Sequence, residues 1–109
     1  MPILGESIKI YKQATNDSLT VFDRRVLIDR ALNLSNTNDS LRAHILYSKC
    51  NIHYLLKEYD SIFKYGESLI KLNKKTKQYS TTGKYYHLLA YYYTKNQPNQ
   101  EKAYLYHNL

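Results

Sequence analysis

Thr15-Asn16-Asp17-Ser18-Leu19 recurs letter for letter as Thr37-Asn38-Asp39-Ser40-Leu41, 22 residues later. Each copy opens a segment whose apolar residues recur at helical spacing. The short side chains of Asn, Asp and Ser accept hydrogen bonds from the N–H groups that a first helical turn leaves unpaired, so both copies read as helix starts. A third, looser punctuation lies between Lys74 and Ser80. Between these marks β-branched runs are few and two-residue hairpin signals are absent, which argues against strands.

Working outward from the pentapeptides gives six helices. The first runs from Pro2 to Ala14 with Leu4, Ile8 and Tyr11 on one face. The second, from Ser18 to Leu34, carries Leu19, Phe22, Val26, Leu27, Ile28, Ala31, Leu32 and Leu34, more than one stripe holds, so neighbours are expected on two sides. The third, Ser40 to Leu56, presents Leu46, Cys50, His53 and Tyr54. The fourth starts at Tyr59, carries Ile62, Gly66, Leu69 and Ile70, and is expected to stop near Asn73. The fifth, Tyr79 to Lys95, faces Tyr86, Leu89, Ala90 and Tyr93 inward. After the turn Asn96-Gln97-Pro98-Asn99, the sixth runs from Gln100 to Leu109 with Ala103, Tyr106 and His107. Short links make consecutive helices antiparallel neighbours, so the chain is read as a series of helical hairpins.

Composition bounds the function. The chain has 109 residues, 43% of them hydrophobic, which suits one domain with a real core. A single Cys and four His without zinc-like spacing point away from a metal-nucleated fold, and no metal or other cofactor is expected. No apolar run approaches the roughly 20 residues of a membrane span, and Met1 to Ile10 has no secretion-signal pattern, so the chain reads as soluble, and its one unpaired Cys goes with an expected cytoplasmic location. The net charge of +7 is uneven. Residues 61–109 hold eight Lys against Glu67 and Glu101, and 9 of the 13 Tyr, while all four Arg lie in the balanced first 60 residues.

The stretch Asn51-Ile52-His53-Tyr54-Leu55-Leu56-Lys57-Glu58-Tyr59-Asp60-Ser61-Ile62 resembles the centre of a tetratricopeptide repeat, a pair of antiparallel helices in about 34 residues. Matched without gaps, the small position of the first helix falls on Cys50, the next aromatic position on His53, the turn aromatic on Tyr59 and the later small position on Ile62. Lys49 and Ile62 depart from the usual Leu and Ala. A second copy matches at Leu89, Ala90 and Tyr93, and at Ala103 after one inserted residue. Cys50 to Ala90 spans 40 residues, and the extra length is assigned to a lysine-rich link around Lys71 to Gln78. Ala31 and Leu34 resemble the second helix of a preceding, degenerate repeat. The resemblance thus implies an all-α, right-handed solenoid of stacked hairpins: a partial repeat over 1–36, a repeat over 40–73 and an incomplete one over 79–109. The last helix leaves its apolar face unfinished, so the chain is expected to be part of a longer stack or to meet a partner there, another copy of itself included. The long repeats and the Lys- and Tyr-rich helices are also similar to repeat regions of bacterial regulatory proteins.

Such an array binds a protein or peptide segment along the groove lined by the first helix of each repeat. The positions implied are His44, Tyr47, Ser48, Asn51 and Tyr54 in one repeat and Lys84, His87, Leu88, Tyr91 and Thr94 in the next. Tyr supplies broad contact area at low entropic cost, and Asn pairs with an extended backbone. The family's carboxylate clamp asks for Lys where Tyr47 stands and then Asn. Only Asn51 agrees, which tells against recognition of an acidic C-terminal tail in that way.

Two other classes compete. Interleaved Lys and Tyr are the ingredients of nucleic-acid binding, and Lys71, Lys74, Lys75 and Lys77 form a basic run. Lys near a helix C-terminus is also favoured by the helix dipole in any protein, and Arg, the better phosphate fork, is missing from that half. An enzyme would need a site around Cys50 and His53, one turn apart. Without a nucleophile motif, paired carboxylates or a glycine loop, these two read instead as a small core residue and a stand-in for an aromatic, and no catalysis is expected.

Overall fold

A computed structural model describes residues 2–35, 38–96 and 99–108, with side chains from Gly5 onward. Six helices follow one another: α1 Pro2–Ala14, α2 Val21–Leu34, α3 Asp39–Leu55, α4 Tyr59–Thr76, α5 Ser80–Lys95 and α6 Gln100–His107. No strand occurs among the described residues. The expected inward side chain of Leu4, Thr37 of the second pentapeptide, Gln97 and Pro98 of the last turn, and Leu109 lie outside what is described. Packing goes mainly by sequence neighbours, α1 on α2, α3 on α4 and α5 on α6, while α2 also meets α3, and α5 meets both α3 and α4.

The two identical pentapeptides do different work. Asn38 caps α3, its Oδ1 accepting from the Leu41 N–H at 2.9 Å. Asn16 instead closes a turn, accepting from Ser18 N–H at 3.0 Å and from the Ser18 hydroxyl at 2.8 Å. Helix α2 therefore starts later than expected, capped by Thr20, whose hydroxyl accepts from Asp23 N–H at 3.1 Å. Thr20 with an acid three residues on is a capping-box pattern that offers a better start than the upstream Ser18.

Helix α3 ends in a Schellman turn: Glu58 N–H reaches His53 O at 2.9 Å, Lys57 N–H reaches Tyr54 O at 3.1 Å, and Lys57 sits at φ 61°. Helix α4 corrects the expected stop at Asn73. It runs to Thr76, so most of the supposed lysine link is helix, and the break is only Lys77 to Tyr79, with Lys77 at φ 57°. Asn73 is buried and its amide lies among Gln78, Thr81 and Thr82. In the orientation that satisfies both ends, Nδ2 donates to Gln78 O at 2.6 Å and Oδ1 accepts from Thr82 N–H at 3.0 Å. One buried side chain thus joins the end of α4 to the start of α5.

The main core runs through α1 to α5, and Ala103 of α6 makes a smaller cluster with Tyr92 and Tyr93. On α1 the inward stripe is Ser7, Ile10 and Ala14, not the expected Ile8 face; the Ser7 hydroxyl is satisfied by Ala31 O at 2.9 Å. On α2, Ile28, Ala31 and Leu32 are buried. Phe22 and Val26, expected inside, stay 68% and 67% exposed. From α3 come Ile45, Leu46, Cys50 and Ile52, from α4 Ile62 and Leu69, and from α5 Tyr85, Leu88 and Leu89. Gly66 on α4 receives the tip of the Tyr85 ring, which stands 2.0 Å from where a Cβ would be. No other residue type fits there without displacing the ring.

Candidate partner-binding surface

Tyr47, Asn51 and Tyr54 recur at four and three residues along α3, and Lys84, Leu88 and Tyr91 do the same along α5. Residues at these spacings share a helix face. The contact between α3 and α5 aligns the two rows. Lys84 Nζ lies 5.9 Å from the centre of the Tyr47 ring, within reach of a cation–π attraction, and Tyr54 meets Tyr91 edge to face at 5.8 Å. Helix α1 joins at the other side, its Tyr11 hydroxyl 3.0 Å from Ser48 Oγ and donating to His44 O at 3.5 Å.

Several expected positions are brought together and others are not. Tyr47, Asn51 and Tyr54 are half-buried, Lys84 is exposed and Tyr91 is 49% exposed, so these five form a strip that still meets solvent. His44 and Ser48 sit half-buried beside it, tied to Tyr11. Leu88 is only 8% exposed and belongs to the core, because its position on α5 faces the other helices. His87 turns to His107 on α6. Thr94 is exposed, with its hydroxyl donated back to Ala90 O at 2.8 Å.

Asn96, expected only in a turn, is a further member of the strip. It caps the end of α5, accepts from the Tyr54 hydroxyl, and its Nδ2 donates to the Tyr59 hydroxyl at 3.1 Å. Burial, with the neighbouring Tyr91 and Tyr59 adding to it, raises the Tyr54 pKa, so the phenol stays a proton donor at neutral pH. The sequence signal was an Asn at the last turn of a tyrosine-rich helix, which composition alone does not distinguish from a cap.

The tyrosine excess is mostly architecture. Rings connect edge to face, tilted or stacked from Tyr91 through Tyr54, Tyr59, Tyr92, Tyr93, Tyr106 and Tyr86 to Tyr85, with centroid spacings from 4.9 to 6.2 Å, and Phe63 branches off Tyr92 and Tyr93. Only the Tyr91 end of this chain opens widely to solvent. Aromatic pairs of this kind add about 0.5–1.5 kcal/mol each beyond their burial.

Charge on the strip is one-sided. Helix α5 has no carboxylate, and the one on α3, Asp39, is 2.9 Å from Lys75 Nζ. The arginines serve the fold. Arg24 donates to Ala14 O at 2.9 Å and Arg42 to Leu32 O at 3.1 Å, each at a helix end, while Arg25 pairs with Glu58 at 3.2 Å and Arg30 with Glu6 at 3.7 Å. Lys71, Lys74, Lys75 and Lys77 are all exposed at the end of α4.

Cys50 and His53 lie inside the helix crossing. Burial pushes the Cys50 thiol up to about 12, and its Sγ lies 3.6 Å from Ile62 O, so it is a thiol rather than a thiolate at neutral pH. His53 stacks flat on Tyr65 with centroids 5.3 Å apart, and its Nδ1 is 3.0 Å from Glu58 Oε1. The hydrogen bond from His53, helped by Arg25, lowers the Glu58 pKa. Close by, the buried Lys49 pairs with Asp29 and lies 4.6 Å over the Tyr65 ring. No cluster of three or more His, Cys, Asp or Glu able to hold a metal occurs among the described residues, and none of their helices is long and apolar enough to cross a membrane.

No protein-family model matches the chain, and no curated protein and no solved structure is significantly similar to it.

Proposed function

We propose that the chain is a non-catalytic protein- or peptide-binding module, a tetratricopeptide-like stack of antiparallel hairpins that serves as the interaction or sensing part of a bacterial, cytoplasmic regulatory protein. The observation that carries the reading is the strip on α3 and α5. Tyr47, Asn51, Tyr54, Lys84 and Tyr91 stand in two aligned rows, held by the Tyr47–Lys84 and Tyr54–Tyr91 contacts. Pairing of α1 with α2, α3 with α4 and α5 with α6 is the packing a hairpin stack requires. The strip offers flat aromatic area, an amide for an extended backbone and a cation. Selection from a random-peptide library tests this: enriched peptides bind the parent chain, and Asn51→Ala with Lys84→Glu weakens them by about tenfold or more. Equal binding by that double variant contradicts the reading.

The exposed lysines at the end of α4 favour one second reading, direct binding of nucleic acid in a transcriptional regulator. Phosphate neutralisation makes such binding strongly salt-dependent. A mobility shift on single- or double-stranded DNA at low salt, lost when Lys71, Lys74 and Lys77 become Gln, selects it over the first.

A further inference from the structure

The histidines are scattered in sequence, yet the fold sets two of them side by side on α5 and α6. His87 and His107 approach with ring centroids 5.9 Å apart and planes at 81°, and both are exposed. Imidazole nitrogen is a preferred ligand of divalent zinc, nickel and copper. With metal–nitrogen bonds of about 2.0–2.1 Å, two imidazoles on one ion have ring centres roughly 5–6 Å apart. The observed centroid spacing is within that range, and rotation of the two exposed side chains about their χ angles is what aims one nitrogen of each ring at a common ion.

We propose that His87 and His107 form a two-imidazole site for a divalent transition-metal ion, with water in the other coordination positions. Helix α6 is where such a tie matters. It has eight residues, of which only Ala103 is buried, and Tyr106 stacked on Tyr93 at 5.8 Å is its main aromatic anchor. An ion shared between His87 and His107 adds a second anchor near the end of α6 and stabilises the folded form by mass action. The site rests on the α5–α6 contact and is independent of the partner-binding reading.

Calorimetric titration of the full chain with zinc chloride at neutral pH, with magnesium chloride as the oxygen-preferring reference, tests the site. The parent chain binds one zinc ion and shows no heat with magnesium, and His87→Gln and His107→Gln each weaken zinc binding by about tenfold or more. No zinc binding by the parent chain, or a smaller loss in either variant, overturns the proposal. Both side chains are exposed, so the variants keep their far-UV circular dichroism. As a second readout on the parent chain, trace nickel broadens the imidazole proton signals of His87 and His107 before those of His44 and His53. Broadening of His44 or His53 first also overturns it.

Discussion

Replacing Gly66 by Ala sets two opposing effects of known size against each other. In an open helix the change stabilises by about 1 kcal/mol, because Gly loses the most backbone freedom on folding. Inside this fold the added methyl lands 2.0, 2.2 and 2.3 Å from Cζ, Cε1 and Oη of Tyr85. Carbon atoms in good contact stand about 3.5–4.0 Å apart, so the ring must retreat by roughly 1.5 Å. Tyr85 is 3% exposed and its ring also neighbours Tyr86, which leaves it little room. Overpacking of this kind costs about 1–3 kcal/mol, and a displacement this large belongs at the upper end. The net expectation is a loss of about 1–2 kcal/mol. Urea unfolding followed by circular dichroism reads it as a lower midpoint with an unchanged slope. In a Tyr85→Leu background, where the ring is gone, the same Gly66→Ala change becomes neutral or stabilising, a coupling of about 2 kcal/mol between the two sites. A neutral or stabilising Gly66→Ala in the parent chain refutes the close approach of Tyr85 to α4 on which the reasoning rests.

Three further outcomes follow from the same contacts. Asn38→Ala removes a helix cap and costs about 1 kcal/mol, whereas Asn16→Ala, in the identical pentapeptide, loses only a turn and costs about half of that or less; denaturant midpoints of the two variants compare them directly. Glu58 has a folded pKa below its ordinary 4.5, so the stability it contributes is present above that value and is lost as pH falls through the lower folded pKa. Glu58→Gln flattens that part of the stability-against-pH curve, and an unchanged acid slope counts against the His53–Glu58–Arg25 contact. Cys50, buried and with its pKa raised to about 12, reacts with a disulfide reagent only as fast as the chain opens, so labelling accelerates in urea in step with unfolding; fast labelling of the native chain contradicts its placement.

Much of the helical plan was legible in the sequence, because helix identity depends on periodicity and on local caps, both written in consecutive residues. The α1 limits, Pro2 to Ala14, and the inward places of Leu46, Cys50, Ile62, Gly66, Leu89, Ala90 and Ala103 come from spacing alone. What misled was partly a competition between neighbouring local signals and partly non-local packing. Asn16 and Asn38 stand in identical pentapeptides, and only the competing cap at Thr20 separates their roles. Phe22 and Val26 carry the right apolar chemistry for a core, but no helix among those described covers them. The lysine-rich segment after Asn73 looked like a link because its residues are polar, yet Lys and Gln are good helix formers and α4 continues through it. In the candidate strip, the row on α3 came from the tetratricopeptide resemblance, and the structure sets Tyr47, Asn51 and Tyr54 along one side of that helix. The loss of Leu88 to the core, the entry of Asn96 and the pairing of His87 with His107 depend on how α5 is rotated against α3 and α6, which one sequence does not encode in a short motif.

The central claim is that the α3 and α5 strip is where a partner segment lies. Amide chemical-shift mapping of the chain with a library-selected peptide addresses it most directly. The account predicts the largest shifts at Tyr47, Asn51, Tyr54, Lys84, Tyr91 and Asn96, with α2 and the outer side of α6 little changed. Shifts centred on Phe22 and Val26, on Tyr104 and Leu105, or on the lysines that end α4, with the strip silent, contradict it.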